Sequence, residues 1–219
     1  MKKTFFVLMF LIFSSSVFAQ TELKGTMGIN FLSIPSMQDY INQNFAPSND
    51  QVGSFVTAVV FSGEGGLFLS PSFAMTLEAS YQIYSYTNVS TAGKYDLSYN
   101  NFMPSVLGYY VLSGEGYNFK FGGGVGIRFA SVDETLPANV SAINYSSTGF
   151  GGILRVEGNT LLGGNAYANI GAEIRYDVNG EPENNGNKLF NNVTGENVNF
   201  DTFSVGIRLG ITYIIGGTN

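Results

Sequence analysis

The end of the chain restricts the fold more than any other segment. Phe203, Val205, Ile207, Leu209, Ile211, Tyr213 and Ile215 alternate without interruption with Thr202, Ser204, Gly206, Arg208, Gly210 and Thr212. Period two is the signature of a β-strand, whose successive side chains point to opposite faces; a helix would repeat every 3.6 residues. The run is also far longer than the five or six residues of an ordinary soluble strand. A tilted strand needs about 9–11 residues to cross the hydrocarbon core of a bilayer.

The same pattern recurs upstream. Leu23, Met27, Ile29 and Phe31 oppose Lys24, Thr26, Gly28 and Asn30; Phe73, Met75, Leu77, Ala79, Tyr81 and Ile83 oppose Ala74, Thr76, Glu78, Ser80 and Gln82. Phe119, Phe121, Val125, Ile127 and Phe129 oppose Lys120, Gly122, Gly124, Gly126 and Arg128; Phe150, Leu154 and Val156 oppose Gly151, Arg155 and Glu157. Ala168, Ile170, Ala172, Ile174, Tyr176 and Val178 oppose Asn169, Gly171, Glu173, Arg175 and Asp177. Two weaker segments, residues 54–62 and 102–112, read as strands whose faces the pattern does not settle. The total is eight.

Glycine clusters predict tight turns at residues 62–66, 113–116 and 158–165, because hairpins need positive φ angles. Longer polar connections are expected at residues 33–53, 85–98, 131–147 and 179–201. Short turns on one rim and long loops on the other are the pattern of transmembrane barrels. Inside the first loop, Ser36 and Asp39 are spaced as a capping box, and Met37, Tyr40, Ile41 and Phe45 share one helical face. Gly122 to Gly126 fall inside an alternating strand, so they read as strand packing and not as a phosphate loop.

Alternation alone also fits a soluble lipocalin-like barrel with its apolar face inward. The composition of the polar face separates the two. Charged residues make up 12% of the chain, about half the share of a soluble domain, and the polar face is mostly Gly, Ser, Thr and Asn. Small residues suit the cramped interior of an eight-stranded barrel, so the expected arrangement is apolar outside and polar inside. Of the 10 lysines and arginines in the chain, six then point inward: Lys24, Lys120, Arg128, Arg155, Arg175 and Arg208. Facing them are Glu78, Glu157, Glu173 and Asp177. Buried charges must pair, which predicts a salt-bridged polar plug. The other reading of the same residues is a ligand-binding or conducting interior with a net positive lining.

Lys2 and Lys3, an apolar run over residues 5–13 and the small residue Ala19 have the order of a secretory signal. Residues 1–19 are expected to be cleaved near Ala19, leaving residues 20–219 as one domain. The formal charge of −6 becomes more negative without Lys2 and Lys3, which speaks against nucleic-acid binding. The chain has no histidine and no cysteine. That excludes His-assisted serine hydrolysis, Cys/His nucleophiles, the usual zinc sites and disulfides, and no catalytic residue, metal or cofactor is expected.

Strand number, loop asymmetry, interior charges and leader together resemble the small outer-membrane barrels of the OmpA and OmpX type in Gram-negative bacteria. The resemblance covers residues 20–219 and rests on no discrete motif. It implies an outer-membrane location, contact with outer-membrane lipid and lipopolysaccharide, and insertion by the outer-membrane assembly machinery. Roles in envelope integrity or in binding a surface ligand through the loops follow as further implications. One departure is that the last aromatic, Tyr213, is followed by Ile215 and a Gly-Gly-Thr-Asn tail, where such barrels often end on an aromatic.

Overall fold

The computed structural model describes residues 20–47, 51–91, 93–137, 139 and 141–216. Residues 1–19, on which the signal-peptide expectation falls, lie outside the described residues. Eight long strands are present: β1 (Thr21–Ser33), β2 (Val56–Ser70), β3 (Phe73–Ser90), β4 (Gly93–Gly114), β5 (Tyr117–Thr135), β6 (Ile143–Gly163), β7 (Ala166–Val178) and β8 (Thr202–Ile215). Each pairs antiparallel with its sequence neighbour, and β1 pairs with β8, so the sheet closes on itself as an up-and-down barrel. Closure removes the unpaired edges that an open sheet would expose.

The outer face is apolar. On β8, Phe203, Val205, Ile207, Leu209, Ile211, Tyr213 and Ile215 are exposed, while Thr202, Ser204, Arg208 and Thr212 are buried. This rules out the lipocalin-like arrangement, whose apolar side faces inward. The two ambiguous strands resolve the same way. Val59, Phe61 and Leu67 of β2 and Phe102, Val106, Tyr110 and Leu112 of β4 face out. The outward residues of β8 extend about 40 Å along the strand at ~3.3 Å per residue, enough for a tilted strand to cross a bilayer.

Several boundaries depart from the sequence reading. No turn occurs at residues 62–66: β2 runs through them and turns at Pro71 and Ser72. None of Gly63, Gly65 and Gly66 has a positive φ, whereas Gly116 and Gly164, in the other two short turns, do. Gly66 meets a spatial need instead, since a Cβ there would collide with the side chains of Thr76 and Glu22. In β5 likewise, Cβ atoms at Gly122 and Gly124 would meet Tyr109 and Leu107. The turn expected at 158–165 shrinks to Gly164 and Asn165 because β6 continues to Gly163.

The largest departure is at the opposite rim. Residues 85–90 and 93–98 pair with each other where a loop was expected: β3 and β4 stay in register up to Ser90 and Gly93. The 131–147 loop is reduced to residues 136–142 because β5 and β6 both extend into it. Strands β3 to β6 therefore rise as a wall above β7, β8, β1 and β2. Along that wall the apolar face changes sides. On β5, Phe119 to Phe129 point outward, but above them Ala130 and Val132 are buried and Ser131 and Asp133 face out. On β4 the change lies between Phe102, which points out, and Tyr99, Leu97 and Tyr95, which point in. The outside changes from hydrocarbon to water at this level, so the apolar residues move to the inside.

The inner face of the wall is covered by α1 (Pro35–Asn44) and by the loop after β7. Met37, Tyr40 and Ile41 of α1 and Leu189, Val198 and Phe200 of the loop are buried against Tyr84, Tyr95, Leu97, Tyr99, Ala130 and Val132. The helix thus caps the barrel mouth. Its expected capping box is absent: Ile34 is the N-cap, with no side-chain cap bond, and Pro35 opens the first turn. Ser36 instead accepts a hydrogen bond from the Asn199 amide at 2.9 Å, tying the helix to the last loop.

Candidate functional site: an ionic lumen

Alternation places one charged residue after another on the inner faces, and register brings the faces together. Glu173 of β7 lies opposite Arg155 of β6, and Glu64 of β2 lies opposite Glu78 of β3. Arg155 is the hub. It binds Glu64 at 2.5 Å and Glu173 at 2.8 Å, makes a short contact with Glu78, and donates to the Tyr109 hydroxyl at 3.1 Å. Arg175 joins Glu78 and Glu173, both at 2.6 Å. Arg208 reaches Glu173 at 2.8 Å and Glu78 at 3.3 Å, and donates to Ser62 at 2.7 Å.

Towards the short-turn end, Lys24 bridges Glu64 at 2.9 Å and Glu157 at 2.6 Å. Lys120 pairs closely with Glu22 and lies 3.8 Å from Glu157. Lys24 and Lys120 also lie over the Tyr109 ring, at 5.5 and 5.7 Å. Ion pairs therefore run unbroken from Lys120 to Arg208. Arg128 and Asp177 form a separate close pair nearer the mouth, where Arg128 also donates to Ser105 at 3.1 Å. Beneath the ions, Asn118, Asn159, Asn169 and Thr212 form a chain of hydrogen bonds of 2.8–2.9 Å.

Every interior residue named from the sequence is buried in this assembly: Lys24, Glu78, Lys120, Arg128, Arg155, Glu157, Glu173, Arg175, Asp177 and Arg208. Sequence reasoning missed Glu22 and Glu64, which changes the electrostatics. With them, six cations meet six carboxylates among the described residues, so the lining balances in formal charge, without the net positive excess of the binding-or-conducting reading. Glu64 was obscured by the supposed glycine turn, although Ser62, Glu64 and Gly66 continue the inward alternation of β2. Glu22 lies one residue before the first apolar position of the pattern, at the start of β1.

A further buried carboxylate sits in the mouth. Glu134, on the part of β5 above the apolar band, accepts hydrogen bonds from Tyr40 at 2.6 Å and Tyr95 at 3.0 Å. No cation lies within ion-pair distance of it among the described residues. Burial pushes its pKa up, an effect the two tyrosine hydrogen bonds only partly offset. The Tyr40 and Tyr95 hydroxyls are themselves pushed up, by burial first and by the Glu134 charge second.

The arrangement gives charge neutralisation and rigidity. Each lumen carboxylate that could act as an acid or base is held by one or more cations, and no group of three or more metal-ligating side chains is found among the described residues. No known family profile and no curated protein matches the sequence. Solved structures do match. Ail, the attachment invasion locus protein of Yersinia pestis, in complex with the heparin analogue sucrose octasulfate, aligns over 90% of this chain and 99% of its own, with a TM-score of 0.54 and 8% identity. A major outer membrane protein from Thermus thermophilus aligns over the same shares, with a TM-score of 0.52 and 17% identity. The closed ring of eight strands, the apolar exterior and these two likenesses give the chain the fold of the small outer-membrane β-barrels.

Proposed function

We propose that the chain is a sealed, non-enzymatic barrel of the bacterial outer membrane that serves envelope integrity and surface interaction through its loops. The observation that carries this reading is the filled lumen. Arg155 alone ties β6 to β2, β3 and β7, and the paired ions occupy the cross-section where a pore would run. A cap of apolar side chains closes the mouth above. Outer-membrane lipid and lipopolysaccharide are the partners that the apolar belt suits. The loop-end surface is what remains free for a ligand.

Ail was crystallised with a polyanion. The loop surface here favours other ligands, because Asp39, Glu183 and Glu196 are exposed on it and would repel a sulfated chain. The test is conductance of the purified barrel in planar bilayers, together with protease accessibility of the loops on whole cells. A silent bilayer and cleavable loops are expected. Steady, ion-selective channels would overturn the sealed-barrel reading in favour of a conducting interior, that of a narrow channel or transporter.

A further inference from the structure

A recess of about 690 Å³ opens at the loop end, between the last turn of α1 and the tip of β3. Gln43, Asn44, Phe45 and Pro47 line one side, and Asn88, Val89 and Thr91 the other. Its walls are held from behind. Asn44 donates to the Tyr40 carbonyl at 2.8 Å and to Asn191 at 3.0 Å; Asn191 in turn donates to Gln43 at 3.0 Å. Asn88 donates in a close contact to the Phe45 carbonyl, and the Phe45 ring stacks on Tyr95 at 3.7 Å between centroids.

These bonds use one end of each amide and leave the other. Among the described residues, Gln43 Nε2, Asn44 Oδ1, Asn88 Oδ1 and the Thr91 hydroxyl have no partner. The recess lining therefore offers, among the described residues, donors and acceptors together and no charged side chain; Lys94, in register opposite Val89, is paired with Asp96 at 2.7 Å. Among the described lining residues an anion would find no cation and a cation no carboxylate. A hydroxyl both donates and accepts, so clustered hydroxyls match this mixture. Val89, 73% exposed well above the apolar belt, together with Pro47 supplies apolar surface for the C–H face of a sugar ring. The volume lies within the range of small-molecule sites. We infer that this recess binds a neutral saccharide.

The inference deepens the surface-interaction reading and rests on it for its biological sense, but binding can be measured separately. Refolded full-length barrel in detergent would be applied to an array of neutral oligosaccharides alongside sulfated and sialylated ones. Binding confined to neutral glycans is expected, weakened at least tenfold by Gln43→Ala and by Thr91→Ala. Glu183→Ala, on a different loop, should bind unchanged. Each variant must keep the heat-dependent gel shift of a folded barrel; Gln43 and Thr91 are exposed, so both should. Absence of neutral-glycan binding at millimolar concentration, a preference for sulfated glycans, or binding indifferent to both substitutions would overturn the site. Loops inaccessible on whole cells, with glycan binding intact in the purified barrel, would instead overturn the surface reading and leave the site standing.

Discussion

Below Asn101 and Arg128 ion pairs dominate the barrel interior, beside a small apolar cluster of Leu107, Tyr109, Val111 and Ile153; above them, around Ile41, Tyr99 and Val132, the interior is as apolar as the core of a soluble protein. The same strands build both regions. The difference lies in what surrounds them. In the lower part the outer face meets hydrocarbon and takes most of the apolar side chains, leaving the polar ones to satisfy each other inside around that small cluster. In the upper part both wall and cap meet water, and the hydrophobic effect drives apolar groups inward again. The two regions also differ in how they hold together: directional, mutually dependent ion pairs below, and packing with replaceable neighbours above.

The first way to break this comparison is to remove the ionic hub. Arg155→Ala would leave Glu64, Glu78 and Glu173 short of a shared cation, and breaking a buried pair typically costs about 3–5 kcal/mol. Urea unfolding of the lipid-reconstituted barrel should show a loss of that size. A loss under about 1 kcal/mol, the value of a solvent-exposed pair, would mean that water penetrates the lumen, and the two regions would then be less different than their contacts suggest.

The second sharpens it from the apolar side. Ile41 is fully buried in the cap, and Ile41→Ala should weaken the cap by about 2–5 kcal/mol, toward the low end because loop residues can settle into the gap. The loss should appear as faster proteolysis within residues 35–47, with unfolding of the membrane-embedded strands unchanged. Conductance should stay silent, since the ion pairs below still fill the lumen. A channel opened by Ile41→Ala would make the cap the true seal.

How much of this was legible in the sequence follows from the same contrast. Where only the outward face is apolar, alternation fixed both strand and face, as on β8 and on β5 from Phe119 to Phe129; on β4, inward Leu107, Tyr109 and Val111 stand beside outward Val106 and Tyr110, so the face stayed open. Ion-pair partners were legible only as a pool of inward charges, because which ones meet depends on register between strands far apart in sequence, such as Lys24 with Glu157. The wall was missed although its signal was present. Tyr95, Leu97 and Tyr99 alternate with Lys94, Asp96, Ser98 and Asn100, but in the opposite phase to the belt. A single phase assigned to each strand turned that switch into a supposed loop. Glycines misled too: none of those at 63, 65 and 66 has a positive φ, and Gly66 meets a demand of space instead.

The smallest expected effect tests whether the cap obeys the rule of the lumen. Below, carboxylates are neutralised by cations; Glu134 has only the hydroxyls of Tyr40 and Tyr95, with Tyr145 nearby. Its folded pKa lies above its unfolded one. The stability that this carboxyl lends the cap is therefore full below the unfolded value, about 4.3, and is lost as the pH rises through the folded value. Tyr40, Tyr95 and Tyr145 are all shifted upward, away from neutrality, and the chain has no histidine to titrate in between. Amide exchange in α1, corrected for its intrinsic pH dependence, should thus be slower at pH 5 than at pH 8. Glu134→Gln keeps an acceptor for both tyrosines without the charge, so its exchange protection should match the acid form at either pH. The same pH dependence surviving in Glu134→Gln would place the titrating group elsewhere. An unchanged wild type would mean that water reaches the carboxylate, so the cap would be looser than its packing indicates.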